Sequence, residues 1–227
     1  MGAHPLDRPP WTALSTRQAP FALGDPARAL RLAPEYGLFA AAADESPESQ
    51  AALAALCPAG GEIGLPELTE AKPPPGLKVV ACEDVCQMVA EALNPGEADF
   101  AVTPLGDDDA AEMLALATLT KPGPFFEHTH RLGDFIGVKL DGCLVAMAGE
   151  RMRAPGFTEV SGVCTLPDHR GRGYAAGLTR LAAQRIAARG ETPFLHVYPG
   201  NTSAISLYQA LGFRLRTMIR LTVMTRA

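Results

Sequence analysis

The sequence predicts an α/β (α+β) protein, with a mixed sheet flanked by helices over residues 99–227 and a smaller α/β region over residues 1–98. Three observations predict it. Strand-like and helix-like segments alternate from Asp99 onward, Asp141-Gly142 joins two apolar runs as a tight turn, and a glycine-rich turn at 170–173 separates a strand-like run from an amphipathic one. With 227 residues, 47% of them hydrophobic, the chain can bury a substantial core.

In order, Leu38 to Ala43 reads as a strand and Pro47 to Leu56 as a helix capped by Ser46. Leu77 to Ala81 reads as a strand and Val85 to Leu93 as a helix. Asn94-Pro95-Gly96 ends that helix and marks the boundary between the two regions. The pattern then sharpens. A strand is expected at about 100–104, a helix opening on Asp107-Asp108-Asp109, whose charges suit a helix N-terminus, and a second helix over Phe125 to Arg131. Phe135 to Leu140 and Cys143 to Gly149 form the hairpin about Asp141-Gly142, and Phe157 to Thr165 is the next strand. Leu178, Leu181, Ala182 and Ile186 recur at helical spacing within about 173–189, and Gly190 stops that helix. Phe194 to Tyr198 is a strand, Asn201 to Leu211 a helix closed by Gly212, and Phe213 to Met224 one long strand or a hairpin.

Several classes of function are disfavoured by composition. A formal net charge of −5 opposes a broad footprint for nucleic acid or anionic membrane. The five cysteines are scattered without a CxxC pair, so they read as reduced thiols rather than disulfides or a zinc site. No run approaches the length of a membrane span and the start lacks the apolar core of a secretory signal, so a cytoplasmic location is expected.

The turn Arg170-Gly171-Arg172-Gly173-Tyr174-Ala175 carries the functional reading. The first turn of a helix offers unpaired N–H donors and a partial positive charge, and glycines let the main chain approach an anion closely. A pyrophosphate is the natural guest. Arg170 and Arg172 can add charge-assisted contacts, or can be solvated or paired with Asp168.

This turn resembles the GNAT superfamily pattern Arg/Gln-x-x-Gly-x-Gly/Ala, with Arg170, Gly173 and Ala175 in the defining places. Asn201-x-x-Ala204-x-x-x-Tyr208-x-x-x-Gly212-Phe213 resembles the second motif of that superfamily, and Val163 to Phe213 is similar above all to its FR47-like branch. The resemblance covers residues 99–227 and leaves the role of residues 1–98 open. It implies a splayed sheet with acetyl-CoA, or another short acyl-CoA, in the gap. The cofactor would be bound by Val163, Cys164 and Thr165, by Arg170, Gly171, Arg172, Gly173, Tyr174 and Ala175, and by Asn201 and Ala204.

Acyl transfer to an amine needs a neutral amine, a polarised thioester carbonyl and a proton for the departing thiolate. Tyr208 lies seven residues beyond the cap Asn201, on one helical face with Ala204 and Leu211, and the resemblance implies that it is the general acid; the other reading is a core tyrosine with a backbone partner. The resemblance implies that backbone N–H groups near Val163 to Thr165 polarise the carbonyl, with Gly162 permitting a bulge. Glu159 stands where some members carry the base that deprotonates the amine, and can equally be a surface glutamate on a half-solvated strand. His196 is a second candidate for the base, and Cys164 suggests an acyl-cysteine route that a buried strand thiol disfavours.

The reading is therefore an acyl-CoA-dependent N-acyltransferase that moves the acyl group directly to an amine acceptor, small molecule or peptide, with no metal. Neither nucleic acid nor membrane is an expected partner, and a homodimer is compatible with it. The alternatives are a CoA-binding sensor or interaction module without turnover, and a nucleotide-binding protein, which lacks support because no GxxxxGK[ST] motif exists.

Overall fold

A computed structural model describes residues 4–227. In chain order its elements are α1 (Pro9–Leu14), β1 (Ala22–Asp25), β2 (Ala29–Leu32), β3 (Ala40–Ala42), α2 (Pro47–Leu56), β4 (Glu62–Glu67) and β5 (Leu77–Val89). There follow β6 (Thr103–Leu105), α3 (Ala110–Thr120), β7 (Phe135–Leu140), β8 (Cys143–Ala154), β9 (Phe157–Thr165), α4 (Tyr174–Ala188), β10 (Thr192–Val197), α5 (Thr202–Leu211) and β11 (Arg214–Arg226). No helix among the described residues is long and apolar enough to cross a membrane.

The chain forms two compact units, and β5, β8 and β11 contribute residues to both. One unit holds the chain up to Cys86 together with Met152–Pro155 and Thr217–Ala227. In it β1, β2 and β3 make an antiparallel sheet, with Ala22 opposite Leu32 and Ala29 opposite Ala42. Strand β4 pairs antiparallel with β11, from Glu67 opposite Arg220 to Glu62 opposite Thr225. Helix α2 begins at Ser46, whose Oγ accepts from the Ser49 N–H at 3.3 Å, and it buries Leu53 among Ala29, Ala40, Ile63 and Met224. Arg31 is buried in this unit and donates to the carbonyls of Leu32, Leu56 and Gly37.

The other unit comprises Gln87–Arg151 and Gly156–Arg216. Its strands lie in the order β11, β5, β10, β9, β8, β7, β6, the first two through the residues they contribute here. Helices cover both faces of this sheet. Met113, Leu116 and Ala117 of α3 pack with Phe135, Leu144, Met147 and Cys164, whereas Leu178 of α4 packs with Ile136, Val138, Val145, Ala146 and Ala148. The strand period of two sends neighbouring residues such as Phe135 and Ile136 to opposite layers. The hairpin of β7 and β8 turns at Asp141 and Gly142, both with positive φ (50° and 82°), as an Asp-Gly pair in a tight primed turn requires.

Three expectations are corrected. Val85 to Leu93 is not a helix: the strand begun at Leu77 runs on to Val89, and Val85, Cys86, Gln87 and Met88 are all buried in it. Four consecutive buried residues suit a strand covered on both faces as well as a helix, and periodicity alone does not separate the two. The helix expected over Phe125 to Arg131 shrinks to one 3-10 turn at Thr129–Leu132. Thr129 Oγ1 accepts from the Phe126 N–H at 2.7 Å, a local bond that competes with the helical ladder. The strand expected at about 100–104 is found shifted to Thr103–Leu105, and the Phe100 ring instead packs onto α4, edge-on to Tyr174 with centroids 5.0 Å apart.

Candidate active site

Strands β9 and β10 run parallel and are in register only from Phe157 opposite Thr192 to Glu159 opposite Phe194. Both continue, to Thr165 and Val197, without further register between them, so the sheet opens along its middle. Gly162, buried inside β9, has φ of 66° and breaks the extended backbone within this opening. A Cβ there would lie 3.0 Å from the Phe135 ring, so the position is closed to larger residues both by conformation and by contact.

Beyond Thr165, a 3-10 turn at Pro167–His169 leads through Arg170 to Gly171 and Gly173, which have φ of 76° and 79°, and α4 starts at Tyr174. Glycine is required at both by the left-handed backbone, since no atom lies within 4 Å of the Cβ either would carry. The first intrahelical bond of α4 runs from the Gly177 N–H to the Gly173 carbonyl at 3.0 Å. The N–H groups of Tyr174, Ala175 and Ala176 precede that bond and are the orphan donors of a helix N-terminus. Arg170 and Arg172 are exposed, and neither is paired with Asp168 among the described residues; Arg170 Nε reaches the Thr165 carbonyl at 3.4 Å. The turn thus presents two exposed guanidinium groups, neither ion-paired with Asp168, together with open space and N–H donors that precede the first helical bond, a donor set that fits the pyrophosphate of CoA.

The remaining expected residues fall on neighbouring elements. Val163 and Tyr174 pack in the same apolar layer beside Leu178, and Thr165 is buried at the end of β9. Asn201 caps α5, its Oδ1 accepting from the Ala204 N–H at 3.2 Å, so these two motif residues form one cap. Tyr208 stands half-buried on α5 with its ring 6.1 Å from that of Phe213, and burial pushes its phenol up to about 12. It therefore keeps its proton at neutral pH. Cys164 is buried among Met113, Phe135 and Met147, and burial pushes its thiol up to about 11. A thiol so placed is a poor nucleophile. We expect iodoacetamide at neutral pH to label the exposed Cys143 and to leave Cys164 unmodified, as read by peptide mass spectrometry.

Glu159 is fully buried. Its carboxylate accepts from Arg151 Nε at 2.9 Å and Nη2 at 2.7 Å, and it pairs with His196 Nδ1 at 2.8 Å. Burial alone would raise this carboxyl; the Arg151 guanidinium and the His196 bond outweigh it and hold it at about 2. Both oxygens are thus engaged by donors, and the group has little proton affinity near neutral pH. The surface placement weighed for Glu159 does not occur, because Arg151, on the adjacent strand, supplies a buried partner. No local signal in the sequence points to Arg151, which stands in the charged stretch Glu150-Arg151-Met152-Arg153 at the end of β8.

The model of the FR47-like protein family matches residues 136–221. A GNAT-family protein from Novosphingobium aromaticivorans is 46% identical, with 99% of this chain and 100% of that one covered and a TM-score of 0.92. The GCN5-related N-acetyltransferase from Kribbella flavida is 22% identical over 93% of each chain, with a TM-score of 0.59, and shares the fold. None of the curated proteins matches. The chain belongs to the GNAT acetyltransferase family, and the likeness to the Novosphingobium protein extends over its whole length.

Proposed function

We propose that this protein is an N-acyltransferase that takes an acyl group, acetyl in the first place, from CoA and transfers it directly to an amine. The observation that carries the proposal is the opening between β9 and β10 beside a glycine turn whose N–H donors are unpaired. When bound, CoA supplies the acyl group as a thioester activated toward amines. Tyr174, Ala175 and Ala176 would hold the pyrophosphate by their N–H groups, with Gly171 and Gly173 giving access and Arg170 and Arg172 adding charge. Asn201 and Ala204 would flank the same cofactor from the start of α5, and main-chain N–H groups from Val163 to Thr165 would polarise its carbonyl oxygen. Tyr208 Oη carries the proton needed by the departing sulfur. Glu159, fixed between Arg151 and His196, supplies fixed negative charge next to the opening rather than an exposed base.

The test is release of free thiol from acetyl-CoA by the full-length protein, followed with a chromogenic thiol reagent across a panel of alkyl, aralkyl and peptide N-terminal amines. Amine-dependent thiol release supports the proposal. Saturable CoA binding without release for any amine would leave a CoA-binding module in its place.

A further inference from the structure

Glu159 is one link in a longer chain of polar side chains. Arg151 of β8 binds Glu159 of β9, and Glu159 binds His196 Nδ1 of β10 at 2.8 Å. The other ring nitrogen, Nε2, faces Gln87 Nε2 of β5 at 3.1 Å, and Gln87 Oε1 accepts from Arg216 Nη1 of β11 at 2.7 Å. These five strands are consecutive in the sheet, so each contributes one residue to a hydrogen-bonded line running across it. Gln87 and Glu159 are fully buried and Arg151 is 8% exposed, whereas the line ends at the half-buried Arg216.

The line has a direction. A guanidinium only donates, so Arg216 requires the carbonyl oxygen of the Gln87 amide and leaves its NH2 toward His196. An amide NH2 can only donate to His196 Nε2, which must then be the bare nitrogen, with the ring proton on Nδ1 directed at the Glu159 carboxylate. The line also crosses the sheet where the main-chain ladder stops. Glu159 is in the last register pair of β9 with β10, and His196 lies two residues past its partner Phe194, so their bond ties the strands together at the closed end of the opening.

Resting on the acyl-transfer reading above, we infer that Glu159 and His196 are positioning residues: with Arg151, Gln87 and Arg216 they fix the closed end of the strand opening, and neither takes the proton of the acceptor amine. Acyl transfer to an amine that enters neutral is balanced without a further base. As the C–N bond forms and the C–S bond breaks, nitrogen loses one proton and sulfur gains one, and the Tyr208 hydroxyl can give the second while recovering the first. The charged groups facing Glu159 and His196 are Arg151 from β8 and Arg216 through Gln87, and on neighbouring positions Glu150 and Glu191 lie within ion-pair distance of Arg189, which caps the C-terminus of α4. The pH dependence of the rate should therefore follow the ionisation of the amine itself.

Nitrogen-15 NMR of the full-length protein labelled in histidine tests the direction of the line without reference to acyl transfer. At pH 7.5 the His196 resonances, assigned by their loss in His196→Gln, should show a protonated Nδ1 and a bare Nε2. Arg216→Met frees the Gln87 amide to turn its oxygen toward Nε2, so the Nε2 resonance should shift while Nδ1 keeps its proton directed at the Glu159 carboxylate. A protonated Nε2 in the unmodified protein overturns the inference. In kinetics, with a primary amine that supports thiol release from acetyl-CoA, Glu159→Gln should lower kcat about tenfold and leave the midpoint of the pH–rate profile in place, moving only when an amine of different basicity is used. A general base is worth roughly a hundredfold to ten-thousandfold, so a loss of that size accompanied by loss of the pH midpoint overturns it.

Discussion

Glu159→Ala should cost about 3–5 kcal/mol of folding stability, measured by urea denaturation at pH 7, because it leaves the Arg151 guanidinium buried without its carboxylate. Glu159→Gln should cost less, since an amide oxygen at the Oε1 place still accepts from Arg151 Nη2 and from His196 Nδ1, and only the Nε bond at Oε2 is lost. The sign of the pH dependence follows from the depressed carboxyl. Its folded value of about 2 lies below the ordinary 4.5, so the stabilisation is complete above pH 4.5 and is lost as pH falls from there through about 2. In Glu159→Gln that part of the acid dependence should be absent. A stability of the unmodified protein that is flat through this range would show that Arg151 and His196 do not hold the carboxylate as described.

The second large effect is expected in catalysis. Tyr208→Phe removes one hydroxyl and little volume, so the fold and the cofactor turn on α4 should be undisturbed. With the phenol pushed up to about 12 by burial, the tyrosine is protonated throughout the neutral range and so holds a proton for a departing thiolate, although the same shift makes it a weaker acid. Turnover of acetyl-CoA should fall by roughly tenfold to a thousandfold while CoA affinity stays within a factor of about two. A drop in affinity with unchanged turnover would assign Tyr208 to binding.

The second half of the fold was legible from local signals: Asp141-Gly142 fixed a hairpin, Asn201 and Gly212 bracketed α5, and the 170–175 turn joined a strand to an amphipathic helix. The first half was legible only in part: β3, α2 and the start of β5 fall where a strand, a helix and a strand are expected, whereas β1, β2, β4 and α1 carry no such signal, since short runs such as Ala22–Asp25 and Ala29–Leu32 have no period and become strands only through their partners. Long-range context also decided Val85 to Val89, whose burial on both faces erases the alternation by which a strand is recognised. At the site, the glycines and the cap were visible because backbone conformation demands them locally. The setting of Glu159 was not, because its partners Arg151 and His196 stand on β8 and β10, and nothing in the spacing of the sequence tells which strands will be neighbours.

Binding of CoA at the turn from Arg170 to Ala175 is checked by calorimetric titration of CoA into the unmodified protein and into Gly173→Val. Valine at φ of 79° strains the left-handed backbone by about 1–3 kcal/mol and turns the N–H groups of the turn away from one another. One-site binding to the unmodified protein and a loss of tenfold or more in affinity for Gly173→Val are expected, with far-UV circular dichroism unchanged. Equal affinity in the two proteins, or no binding of CoA to either, would contradict it.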